Sequence, residues 1–219
     1  MDLVEFWTVC STNGIVLEKE QLWQIERYVN ELKYWNEKVN LISRKDEDNI
    51  LNSHILHSLS CIKYVHFPVR SRILDVGTGG GLPGIPIAIA NPESKVTMVD
   101  SIAKKIKITD MLAKHTGIRT IRTVNSRAED LVKNVQFQNY FDFILSRAVA
   151  PMSTIVEWTD GIVKKKHKFI FYKGGDITDE INEIKKNMKD IKIIVKQISM
   201  IGADYFERDD KKIVIIEKN

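Results

Sequence analysis

Five of the chain's 11 glycines, Gly77, Gly79, Gly80, Gly81 and Gly84, fall in the short stretch ILDVGTGGGLPGIPIAIA, residues 73–90. They follow directly on the apolar run Ile73–Val76. Glycine reaches backbone conformations that strain other residues, and it lets a ligand approach the main chain, at an entropic cost. A cluster this dense after a strand-like run predicts a strand, a tight loop and a helix that bring bare backbone against a small molecule. Few folds accommodate that, and the surrounding pattern selects among them.

Before residue 70 the chain reads as helical. Leu22, Ile25, Val29, Leu32, Trp35 and Val39 recur at intervals of three and four, the spacing of one helix face, with Asn40 ending the helix. A second helix is expected over residues 46–64, with Ile50, Ile55, Leu59 and Ile62 inward. After residue 70, β-rich runs alternate with amphipathic segments. Strands are expected at 72–76, 95–100, 118–124, 141–145 and 168–172, and helices at 82–90, 103–115, 151–159 and 178–188. That alternation predicts βαβ units and a mostly parallel sheet of Rossmann-like α/β type. The runs 191–198 and 213–217 predict a closing antiparallel pair. The organisation is thus a helical N-terminal extension, residues 1–69, and a sheet domain, residues 70–219. At 219 residues the chain is long enough for one substantial core.

Composition narrows the class. Cys10 and Cys61 are too few for a disulfide framework or a metal site, which fits a reducing cytoplasm. The start lacks a signal peptide, and no apolar run approaches the roughly 18 residues of a membrane span. The net charge of +4 leans toward anionic partners. Residues 164–168, Lys-Lys-Lys-His-Lys, are the one strong charge block.

Two ligand patterns overlap on the glycines. Gly79, Gly81 and Gly84 satisfy the dinucleotide fingerprint G-x-G-x-x-G, with Asp100 ending the next strand to hold ribose hydroxyls. Asp75 with Gly77, Gly79 and Gly81 satisfies instead D-x-G-x-G-x-G, the S-adenosylmethionine pattern. A dinucleotide needs free amides at the helix start for its pyrophosphate. Pro83 removes one of them and Pro86 follows. A donor without phosphate does not need those amides, so the prolines favour S-adenosylmethionine. A nucleotide-dependent oxidoreductase and a non-catalytic RNA-binding assembly factor stay as the alternatives.

The stretches DVGTGGGLPGIPIAIANPESKVTMVDSIAKK, NSRAEDL and FDFILSRAVA, with WNEKVNLISRKDEDNILNSHILHSLS (residues 35–60) before them and YKGG (172–175) after, resemble the ribosomal RNA small-subunit methyltransferase G family, also called glucose-inhibited division protein B. Relatives often carry Ala or Pro at the position of Gly80 and Phe at that of Leu82. The resemblance implies a class I methyltransferase that uses S-adenosylmethionine to modify N7 of one guanine in 16S ribosomal RNA of the small subunit. It implies cofactor contacts at Gly77, Leu82, Ala128, Glu129 and Arg147.

Each position also has a physical reading. Asp75 is expected to pair with the cationic donor, Asp100 with the ribose, Ala128 and Glu129 with the adenine. Arg147 is expected to position the methionine carboxylate or an RNA phosphate. No side chain is assigned as a general base, because guanine N7 already carries a free lone pair. His54 and His57 sit one turn apart without a third ligand, which reads as buried or RNA-facing rather than metal-binding. Lys33, Lys38, Arg44, Lys45, Lys104, Lys105 and Lys107 are candidate RNA-facing cations.

Overall fold

The structure, a computed structural model, describes residues 1–218. Seven strands form one sheet in the order β3-β2-β1-β4-β5-β7-β6. They are β1 (Arg72–Val76), β2 (Lys95–Asp100), β3 (Ile121–Asn125), β4 (Phe141–Arg147), β5 (Val163–Gly174), β6 (Ile191–Gln197) and β7 (Lys211–Lys218). The first five are parallel; β7 runs antiparallel to both β5 and β6. The expected antiparallel pair is present, with β7 inserted beside β5 and β6 at the edge.

Side chains alternate across the sheet with the two-residue period of a strand. Ile73, Phe143, Leu145, Ile170 and Ile215 feed one apolar cluster, and Leu74, Val76, Ile144, Phe169 and Ile216 the other. Helices α6 (Met152–Thr159) and α7 (Thr178–Asn187) cover the second face. The first face is covered by α4 (Gly84–Ala90) and α5 (Ala103–His115), and also by the N-terminal helices α1 (Leu3–Thr12) and α2 (Lys19–Asn36). The short α8 (Tyr205–Arg208) adds the buried ring of Phe206 to the same cluster. Residues 1–69 thus share one core with Ile85 and Ile87 of α4. Ile25, Tyr28 and Leu32 of α2 are all but sealed from solvent, and burial of an aliphatic side chain of that size stabilises by about 1.5–3 kcal/mol.

The expected boundaries shift where side chains compete with the backbone. Helix α2 stops at Asn36 rather than Asn40, because Asn36 Oδ1 accepts from the backbone N–H groups of Leu41 (2.7 Å) and Ile42 (2.9 Å) and turns the chain. Val39 therefore lies outside the helix. The expected helix over 46–64 is broken into a 3₁₀ turn (Arg44–Asn49), a π-helical turn (Leu51–Leu56), a single α turn, α3 (His57–Leu59), and a second 3₁₀ turn (Ser60–Lys63). Its inward residues Ile50, Ile55 and Leu59 are buried nonetheless, while Ile62 is half-buried. Strand β3 starts at Ile121, after the turn at Gly117 (φ +78°). Strand β5 starts at Val163, five residues before the expected start, so it includes the lysine block. Among the described residues no helix is long and apolar enough to cross a membrane.

Candidate active site

The glycine loop leaves β1 at the carboxyl ends of the parallel strands, where open α/β sheets bind ligands. Two helices of the first face brace it. Thr109 Oγ1 of α5 donates to Gly79 O at 2.6 Å, and Tyr28 Oη of α2 donates to Gly80 O at 2.9 Å. Asp100 holds it from β2, with Oδ2 accepting from Gly79 N (2.9 Å) and Oδ1 from Ile102 N (2.9 Å). A cleft of about 250 Å³ opens beside the loop, bordered by Gly77, Asp100, Ala128, Glu129, Val149 and Trp158 among others. A β-carbon on Gly77 (φ +67°) would stand 2.5 Å from Val149 Cγ2, so only glycine keeps this wall of the cleft in place.

Four expected site residues, Gly77, Asp100, Ala128 and Glu129, therefore border one cleft. The others lie elsewhere. Gly79 adjoins it through Asp100. Gly81 (φ +100°) packs under the loop against Ile85 and Thr109, and Leu82, 5% exposed, belongs to the apolar core.

Asp75 departs from expectation. Its carboxylate is fully buried, and Oδ2 accepts from Thr78 Oγ1 (2.6 Å) and Gly84 N (2.9 Å), so it braces the loop from beneath and faces no cleft where a cationic donor would meet it. Oδ1 has no partner. Burial pushes the carboxyl up to about 7, against the pull of the Thr78 and Gly84 hydrogen bonds and the Arg147 charge. A carboxyl raised on folding contributes stability that is fully present below the unfolded pKa near 3.8 and is lost as pH rises toward 7. Between pH 5 and 7.5 the wild type should lose about 2–3 kcal/mol of stability relative to Asp75→Asn, which does not titrate. Denaturant unfolding of both proteins across that range measures the difference; parallel curves would contradict the buried, raised carboxyl.

Arg147 ends β4 and points toward the N-terminal helices. Its NH2 lies 3.3 Å from His54 Nδ1, and its NH1 donates weakly to His54 O at 3.5 Å. No carboxylate comes within ion-pair distance of it among the described residues. Burial lowers its pKa from the usual guanidinium range. A guanidinium only donates, so His54 Nδ1 accepts and the ring proton sits on Nε2, facing Asp46 Oδ2 at 3.4 Å. Burial and the Arg147 charge push His54 down to about 4, with Asp46 opposing. His54 is therefore neutral near pH 7. Asp46 lies within ion-pair distance but is too poorly aligned to satisfy Nε2, which remains a buried polar atom without a hydrogen bond, like His57 Nε2 and Asp75 Oδ1.

All three groups lie within electrostatic reach of Arg147. A half-buried cation without an ion pair, set among unsatisfied polar atoms, is an arrangement that a ligand carrying both an anionic and a polar group would relieve. His57 packs edge-on against Tyr172, and no three metal-ligating side chains converge among the described residues.

Sequence reasoning missed three contributors: Tyr28, Val149 and Trp158. Only Val149, two residues beyond Arg147 in a strand-to-loop exit, carried a signal. The cleft and the glycine cradle at Gly77 fit the expected donor; Asp75 serves the loop.

Comparison with known proteins agrees with this geometry. The sequence model of the family GidB, rRNA small subunit methyltransferase G, matches residues 21–212. The chain is 42% identical over 209 residues to the ribosomal RNA small subunit methyltransferase G of Christiangramia forsetii, covering 91% of this chain and 92% of that one. It is 34% identical over 192 residues to the protein of that name from Thermoanaerobacter pseudethanolicus, covering 88% and 80%. The fold is shared with the plantazolicin methyltransferase BpumL solved in complex with SAH, at 14% identity and a TM-score of 0.56 over 92% of this chain and 98% of that one. With a glycine loop, a cleft at the strand ends and a family match across most of its length, this chain belongs to the rRNA small subunit methyltransferase G family.

Proposed function

We propose that this chain, an S-adenosylmethionine-dependent ribosomal RNA methyltransferase by family, methylates N7 of a guanine in 16S ribosomal RNA of the small subunit. The observation that carries the reading is the braced cleft beside Gly77, where an added β-carbon would press on Val149 in the cleft wall. When bound, S-adenosylmethionine supplies a methyl group already activated by a sulfonium charge. Gly77 gives the donor close backbone approach. Asp100 keeps spare lone pairs for ribose hydroxyls beyond the two bonds it already accepts. Ala128 and Glu129, which border the same cleft, would meet the adenine. Arg147 takes the anionic group of the donor or an RNA phosphate.

The acceptor does not call for a catalytic base. N7 of guanine carries a lone pair and no proton, so transfer needs alignment rather than proton removal. Of the carboxylates on the cleft, Asp100 is committed to Gly79 and Ile102. Alignment alone supplies up to roughly 7–11 kcal/mol when geometry is well fixed. Residues 1–69 form the extension that faces RNA. The A-form major groove, where N7 lies, excludes protein side chains, so the target is a splayed or irregular guanine.

Single-turnover rates with saturating cofactor and RNA, measured from pH 6 to 9, test this reading. The expected profile is flat. A rising limb abolished by replacing one side chain would mean that a base acts, and the acceptor would then be an amino group.

A further inference from the structure

The lysine block at residues 164–168 has no part in the cleft, and the fold gives it a defined shape. From Phe141 to Phe143 on β4 is two residues, while their partners Val163 and Lys168 on β5 are five apart, so three residues are extruded as a bulge. The bulge is fastened at both ends. His167, 7% exposed, donates from Nδ1 to Lys164 O at 2.6 Å, and Lys164 Nζ meets Asp142 Oδ1 at 2.5 Å. Asp142 Oδ2 in turn accepts from Arg72 N at 2.8 Å. Lys165 and Lys166 are left exposed at its tip and form no ion pair among the described residues. Consecutive like charges repel, so a closed, fastened loop that displays them is costly unless something uses it.

The bulge borders a second cleft, of about 430 Å³, at the amino ends of the parallel strands. Five cations, Arg70, Lys164, Lys166, Lys168 and Lys218, line it against two carboxylates, Asp142 and Glu217. Both carboxylates are already engaged, Asp142 by Lys164 and Glu217 by Lys168 at 2.6 Å. Arg70, like Lys165 and Lys166, has no ion pair among the described residues, and it sits in the left-handed region at φ +65°. Strand β4 joins the two clefts, with Asp142 at this end and Arg147 at the other. Five residues of extended strand put them roughly 17 Å apart.

We infer that this basic bulge and cleft bind the phosphate backbone of the ribosomal RNA substrate at a second place, on the end of the sheet opposite the methyl-transfer site. The inference rests on the reading of the chain as an RNA methyltransferase. Spaced cations on a fastened loop, beside the apolar Pro68, Val69 and Phe143 of the same cleft, suit a phosphate chain. The two sites together require a folded RNA that passes around the sheet. Affinity at the second site helps select a large structured substrate over a short strand.

The test compares wild type with Lys165→Gln/Lys166→Gln and, separately, with Arg70→Asn. Asparagine tolerates the left-handed backbone at position 70, so that variant keeps the test open if the bulge variant fails to fold. Binding is measured by titrating small-subunit ribosomal RNA, purified from a strain lacking the gene, over a series of salt concentrations. Each lost phosphate contact reduces the slope of log affinity against log salt by about 0.7–0.9. The double variant should lose about 1.4–1.8 in slope and roughly 25- to 60-fold in affinity near 0.1 M salt, and Arg70→Asn about half of the slope change. S-adenosylhomocysteine affinity, and methylation at saturating RNA, should stay unchanged. A short oligonucleotide around the target guanine should bind all three proteins alike.

Unchanged RNA affinity and slope in folded variants would overturn the inference. So would a loss seen only with intact small subunits and not with naked RNA, which would make the partner a ribosomal protein. Failure of the wild type to bind S-adenosylhomocysteine or to methylate RNA would instead sink the functional reading itself.

Discussion

Replacing Gly77 by valine should weaken binding of S-adenosylhomocysteine by at least about 100-fold, on the order of 2.7 kcal/mol. Two effects converge. The backbone at Gly77 has φ +67°, a region where a β-branched residue is strained. The new side chain also grows into Val149, whose Cγ2 lies 2.5 Å from where the β-carbon would stand, at the wall of the cleft. Gly161→Val is the matching control, since Gly161 has φ +85° with nothing within 4 Å of the added carbon. The control should lose comparable stability and keep its affinity. Calorimetric titration of both variants separates the outcomes; wild-type affinity in Gly77→Val would move the cofactor out of this cleft.

Arg147→Lys keeps a positive charge and removes the planar fork, and kcat/KM should fall by about 10- to 100-fold, roughly 1.4–2.7 kcal/mol. Among the described residues the guanidinium is held only by the ring and carbonyl of His54, with no carboxylate to neutralise it, so its remaining donors are available to a ligand. A lysine ammonium cannot meet His54 and a ligand in the same plane. Measured separately, the S-adenosylhomocysteine and RNA affinities identify which anion Arg147 holds. Full activity in the lysine variant would mean that Arg147 merely ties the N-terminal helices to β4.

Much of this architecture was legible in the residues. The alternation of β-rich and amphipathic runs located the parallel strands, because a strand buried on both faces leaves few polar positions to blur the pattern. The glycine spacing with Asp75 and Pro83 located the loop and its class of ligand. Elsewhere physical competition hid the answer. The stretch 44–63 keeps its apolar spacing while its backbone passes through 3₁₀ and π turns, which periodicity alone does not distinguish. Asp75 lies in the pattern where a ligand contact was expected, yet its carboxylate is spent on Thr78 and Gly84. The lysine block read only as a block of charge, and the register between β4 and β5 reveals a fastened bulge. The role of Tyr28 depends on a contact 52 residues away, which no local signal carries.

Product mapping tests the central claim most directly. Small-subunit ribosomal RNA from cells with and without the gene is treated to depurinate N7-methylated guanines and cleaved with aniline, and its fragments are compared by mass. The account predicts one guanine in 16S RNA that carries an additional methyl group and an aniline-sensitive site only when the gene is present. It also predicts that the purified protein with S-adenosylmethionine restores this mark to RNA from the deletion strain. A methyl group stable to depurination, or identical RNA from the two strains, would contradict it.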